Sequence, residues 1–245
     1  MNGLRASNFQ RIHLGLLLDL LLLFLLPAVL GALAAVVARQ AADAGMENAT
    51  AETLLQSPTL AVRALYSFLV LQYCLSALCA LLVVSGIAAL ESTSGYLRRA
   101  KRFFLALMLA EALTMLAHIT DLLLPDNGAM HLATIVFIAL VAAMLVIRCG
   151  ALRTLLLGYG EVLGSVGAQE LSARACAMAR RVTAAFSLLL LLLVASMAAM
   201  LLGVKPLRHV LLSGDALALA YYVVIYVQTV GLARKTRSVI ATISE

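Results

Sequence analysis

Glu111, Thr114, His118 and Asp121 follow one another at intervals of three, four and three residues inside an otherwise apolar run, residues 104–124. On an α-helix that spacing puts all four on one narrow face. A carboxyl, a hydroxyl, an imidazole and a second carboxyl in a row offer a protonatable group with a polar vestibule leading outward from it. Glu111 lies three residues from the middle of the run, ~4.5 Å at helical rise. An ionised carboxylate at that depth costs at least ~2.5 kcal/mol even on the mildest insertion scale. No lysine or arginine is expected at matching depth in another span. The sequence therefore predicts a protonated Glu111 hydrogen-bonded to Gln72, Ser76, Tyr222 or Tyr226. The competing reading of the same stripe is a polar clasp that holds helices together.

His118 and Asp121, with Asp126 and His131 across a short turn, have the chemistry of a divalent-metal site, and Met115 and Met130 would suit copper. HxxxH and HxxE spacings are lacking, so neither a metal nor a haem is expected, and no other cofactor is implied. Cys74, Cys79, Cys149 and Cys176 have no CxxC spacing and none lies in an external loop, so no disulfide, zinc site or redox pair is expected. Gly158, Gly160, Gly164 and Gly167 give GxGxxxGxxG without a preceding strand or a P-loop lysine, which reads as a flexible elbow rather than a phosphate cradle. GxSxG and HExxH are missing, so an enzyme ranks last.

The elements that must position these residues follow from composition. The chain of 245 residues is 64% hydrophobic and 12% charged, against about 25% charged in soluble domains. Such a chain has more apolar surface than a single soluble core can bury. Runs of ~20 apolar residues suit a bilayer instead. The expected fold is all-α: one polytopic membrane domain, a six-transmembrane-helix bundle, with spans at about 14–38, 64–90, 104–124, 130–147, 183–204 and 210–233. An external loop occupies 39–60, and a cytoplasmic connection occupies 148–182. Pro27 predicts a kink in the first span. Asp19 is expected near the cytoplasmic end of that span, as an interfacial acid without function. A short surface helix is expected over 46–56. Asn48-Ala49-Thr50 matches a glycosylation acceptor by chance.

Two further faces accompany the Glu111 stripe. Gln72, Ser76, Cys79, Val83 and Gly86 recur at helical spacing in the second span and read as a packing seam of small and polar groups. Asp215, Tyr222, Tyr226 and Thr229 share one face of the sixth. On this layout fourteen of the eighteen lysines and arginines are cytoplasmic, and Arg39, Arg63, Lys205 and Arg208 are external. That asymmetry predicts both termini in the cytoplasm.

The formal net charge of +6 sits in short turns beside apolar runs. Anionic lipid headgroups on the cytoplasmic face are its expected partner, and nucleic acid is not. The expected location is a cell (plasma or inner) membrane. Two functions compete: a non-enzymatic membrane-embedded subunit or assembly partner, binding another membrane protein or its own copies, and a small-solute or ion transporter with Glu111 as its protonatable group.

Overall fold

In a bilayer every backbone polar group has to be satisfied within the chain, and for apolar runs of this length the α-helix does so. The computed structural model describes residues 5–43, 60–123, 130–201 and 205–244; within these, side chains are described throughout 5–25, 70–116, 142–192 and 220–243 and at scattered positions beyond. Among the described residues the elements are six helices: α1 (Ala6–Asp43), α2 (Leu60–Ala88), α3 (Gly95–Leu123), α4 (Met130–Ser165), α5 (Gln169–Leu201) and α6 (Lys205–Ser244). Over the described residues four segments are long and apolar enough to cross a membrane: Ala6–Leu25, Val70–Ala88, Ala142–Ser165 and Gln169–Leu192. The expected surface helix over 46–56 and the Asn48 acceptor lie outside the described residues.

Each helix packs against the next in sequence, and α6 returns to α1, so the bundle closes into a ring. α4 also touches α6 across it. Two of the connections explain the antiparallel order. After Ala88 the chain turns through backbone bonds from Leu90 N to Ile87 O and Thr93 N to Leu90 O. Ser94 then starts α3, accepting hydrogen bonds from the backbone N–H groups of Tyr96 at 3.1 Å and Leu97 at 3.3 Å. That is an N-cap, filling two of the donors a helix start leaves open. The same hydroxyl donates to Glu161 Oε2 on α4. Beside it Lys101 Nζ lies 2.8 Å from Glu91 Oε2.

Residues 158–167 differ from the expected elbow. Helix continues to Ser165 and resumes at Gln169, and only Gly167, at φ 82°, takes the left-handed conformation of the turn. Gly158 and Gly160 are close-approach positions instead. A Cβ on Gly158 would lie 2.6 Å from Leu97 Cδ2, and one on Gly160 would lie 2.9 Å from Cys176 Sγ. α1 runs through Pro27 as one continuous helix.

The seam on α2 is a packing surface for α1. A Cβ on Gly86 would lie 2.5 Å from Ile12 Cγ1 and 2.6 Å from Asn8 O; one on Gly15 would lie 2.7 Å from Cys79 O. Continuous with this contact is a core of large, fully buried side chains, including Phe9, Ile12, Leu16, Ile87, Leu97, Leu152, Leu155 and Tyr159. It fills the end of the ring that carries the N-terminus of α1. The outward face is apolar as well, with Leu109, Leu116, Leu188, Leu191 and Val194 all exposed on the bundle surface. This is the pattern of a helix ring solvated by lipid.

Candidate functional site

Where the apolar core ends, five of the six helices bring polar groups to one level. Asp19 on α1 is not an interfacial acid, because its carboxylate meets Arg148 of α4, whose Nη2 donates to Asp19 Oδ1 at 2.5 Å. The two side chains are 15% and 22% exposed respectively, so neither reaches freely into solvent. Tyr226 of α6 donates its hydroxyl to the other oxygen, Asp19 Oδ2, at 2.6 Å. The expectation that no basic residue lies at Glu111's depth is therefore wrong. The sequence ends the fourth span near residue 147, which puts Arg148 at or beyond the cytoplasmic face; in the structure the helix runs on to Ser165 and Arg148 turns inward.

Glu111 on α3 is buried, at 4% exposure. Its Oε1 lies 2.6 Å from Ser76 Oγ of α2, one of the four partners the sequence proposes. Ser76 Oγ is also 3.4 Å from Asp19 Oδ1. One hydroxyl thus stands between the two carboxyl groups, and it has a single proton to donate. The shorter contact has the geometry of a strong bond; the longer one is beyond the usual O–H···O range. A cavity of about 10 Å³ lies here, lined by Asp19, Ser76, Cys79, Arg148 and Tyr226 among others. That is room for roughly one water.

The other proposed residues behave differently from one another. Tyr226 bonds Asp19 rather than Glu111. Tyr222 is buried and stacks edge-on with Phe186 of α5, ring centres 4.8 Å apart, and with Tyr226, 5.7 Å apart. Its hydroxyl, Gln72 Oε1 and Glu111 Oε2 are buried without a hydrogen-bond partner among the described residues. Thr114, fully buried, spends its hydroxyl on its own helix, donating to Ala110 O at 2.8 Å. Thr229 does the same with Ile225 O at 2.9 Å. Neither hydroxyl is available to a solute, which is the usual fate of a mid-helix threonine. His118, Asp121, His131 and Asp215 have side chains outside the described residues. No group of three or more metal-ligating side chains occurs among the described residues. All four cysteines are free thiols.

The charges of the cluster can be counted. Arg148 and Asp19 cancel, so a neutral Glu111 leaves the layer without net charge, and an ionised one leaves it at minus one. In a low-dielectric bundle the neutral layer is strongly preferred. The protonated Glu111 that the sequence proposes would keep this layer neutral, because Arg148 already has its anion in Asp19.

The sequence carried a signal for the pair it missed. Asp19 is an acid inside an apolar run, and such residues are functional or structural candidates by default. Its partner, 129 residues away, could be matched only by depth, and depth depends on where each helix leaves the membrane. Comparison of the chain with family models, with curated proteins and with solved structures gave no match.

Proposed function

We propose that this chain is a non-enzymatic, membrane-embedded protein that crosses the bilayer six times with both ends in the cytoplasm. In this reading it works as a subunit or assembly partner for another membrane protein or for its own copies. The observation that carries it is the closure of the polar layer. The cavity among Asp19, Ser76, Arg148 and Tyr226 is only about 10 Å³, far below a solute site of ~300 Å³ or more. Beneath it the ring is filled by apolar side chains such as Leu152, Leu155 and Tyr159, all fully buried. The orientation rests on the basic residues: with Arg148 assigned to the core, thirteen remain on the cytoplasmic side against four outside. Reporter fusions at both termini test the orientation, and an external terminus refutes it. Purification from native membranes under mild detergent tests the role. A stoichiometric partner or a defined homo-oligomer is expected, and a lone monomer in its native membrane argues against a subunit.

A second reading, transport of a small solute or ion, has one observation in its favour. Glu111 Oε2 is buried and unpartnered among the described residues, as a group that must gain and lose a proton would be. Flux into proteoliposomes separates the two. Proton-dependent uptake that Glu111→Gln abolishes, at unchanged thermal stability, would establish transport in place of the subunit role.

A further inference from the structure

We propose that Glu111, Ser76 and Asp19 form a proton relay across three helices, in which one exchangeable proton is passed between the two carboxyls through the Ser76 hydroxyl. The inference holds whether the bundle serves a partner or a solute. It starts from the Ser76 hydroxyl, 2.6 Å from Glu111 Oε1 and 3.4 Å from Asp19 Oδ1. A hydroxyl so placed is both acceptor and donor. With Glu111 protonated, its O–H donates to Ser76 Oγ, and the Ser76 proton points to Asp19 Oδ1. Transfer breaks the Glu111 O–H bond and forms one at Ser76 Oγ; the original Ser76 proton leaves for Asp19 Oδ1. The hydroxyl of Ser76 is restored, Glu111 becomes the anion and Asp19 becomes neutral. No proton is gained or lost overall.

Two features of the site serve this step. The 3.4 Å leg is long for direct transfer, and the cavity of about 10 Å³ lies along it, lined by Ser76, Asp19, Arg148 and Tyr226. It has room for about one water, whose size and hydrogen bonds would bridge that leg. The step leaves the net charge of the layer unchanged, and Arg148, 2.5 Å from Asp19, stays beside the path in both states. The titratable groups facing this path are Asp19 on α1, Tyr73 and Cys79 on α2, Glu111 on α3, Arg148 on α4, and Tyr222 and Tyr226 on α6. α5 brings Phe186 against Tyr222. Arg148 is the one permanent cation among these groups.

The test is a carbon-13 titration of the aspartate and glutamate carboxyls in the full chain, held in lipid nanodiscs. Coupled groups share their titration steps. Glu111 and Asp19 should therefore show the same midpoints, each carrying part of both steps. Ser76→Ala should slow proton exchange between the two carboxyls, read by relaxation dispersion of both signals, and Ser76→Thr, which keeps the hydroxyl, should restore the exchange rate. Thermal unfolding of both variants checks the fold, and the Thr variant controls for packing. A flat Asp19 signal beside a titrating Glu111 would overturn the relay. So would an exchange rate that Ser76→Ala leaves unchanged, or no carboxyl titrating at either position.

Discussion

Asp19→Asn is the sharpest perturbation of this bundle. The substitution keeps the size of the side chain and one acceptor oxygen but removes the anion that Arg148 meets at 2.5 Å and Tyr226 at 2.6 Å. Leaving one member of a buried ion pair uncompensated costs ~3–5 kcal/mol. The pair is 15% and 22% exposed, and asparagine still accepts a bond, so the low end applies, about 3 kcal/mol. For a chain of this size that is a fall in Tm of about 6–12 °C. Arg148→Met in the same background removes the stranded cation. The double variant Asp19→Asn/Arg148→Met should then recover at least half of the loss, as a double-mutant cycle requires of a coupled pair. Thermal unfolding in nanodiscs, followed by circular dichroism, reads both numbers. A further arm uses Glu111. In Asp19→Asn the carboxyl of Glu111 is the remaining anion for Arg148, so adding Glu111→Gln should cost more than it does in the natural chain. Strictly additive losses, or an Asp19→Asn variant as stable as the original, would refute the ion pair as the support of this layer.

Four other outcomes follow from the packing and the turns. Gly86→Ala should destabilise by roughly 1–3 kcal/mol through overpacking, because its Cβ would fall 2.5 Å from Ile12 and 2.6 Å from the Asn8 carbonyl. Gly231→Ala, where a Cβ meets nothing, should instead stabilise α6 by up to ~1 kcal/mol; equal effects at the two positions would contradict the α1–α2 contact. Ser94→Ala should cost ~0.5–2 kcal/mol in chemical unfolding, since it removes the cap of α3 and the bond to Glu161 together. The hydrogen bond from Lys101 holds the Glu91 carboxyl below the ordinary carboxylate range. Its stabilising contribution is thus complete above that ordinary range and is lost as pH falls through the lowered value. Lys101→Gln should bring the Glu91 midpoint back up in an NMR titration.

The sequence alone determined the helical class and its membrane setting, because a chain of 64% hydrophobic residues in runs of this length has few other ways to satisfy its backbone. It also determined one local contact in the site. Glu111 and Ser76 lie on polar faces of adjacent helices joined by a tight turn, so their meeting at 2.6 Å follows from periodicity and connection length. The α2 seam was legible for the same reason: Gly86 and Cys79 recur on the face that α1 covers. Periodicity fixes a residue's face and not its height, and on height the reading failed. Asp19 was placed at the interface and Arg148 beyond it, while the folded ring brings them together across 129 residues. The same limit hid the separate partners of Tyr226 and Tyr222, which share a helix face yet sit one turn apart, one on Asp19 and one on Phe186. Only the tertiary structure decides such vertical register, because it depends on where every helix ends and how deeply its neighbours interlock. One sequence at a time, those quantities have no local signature.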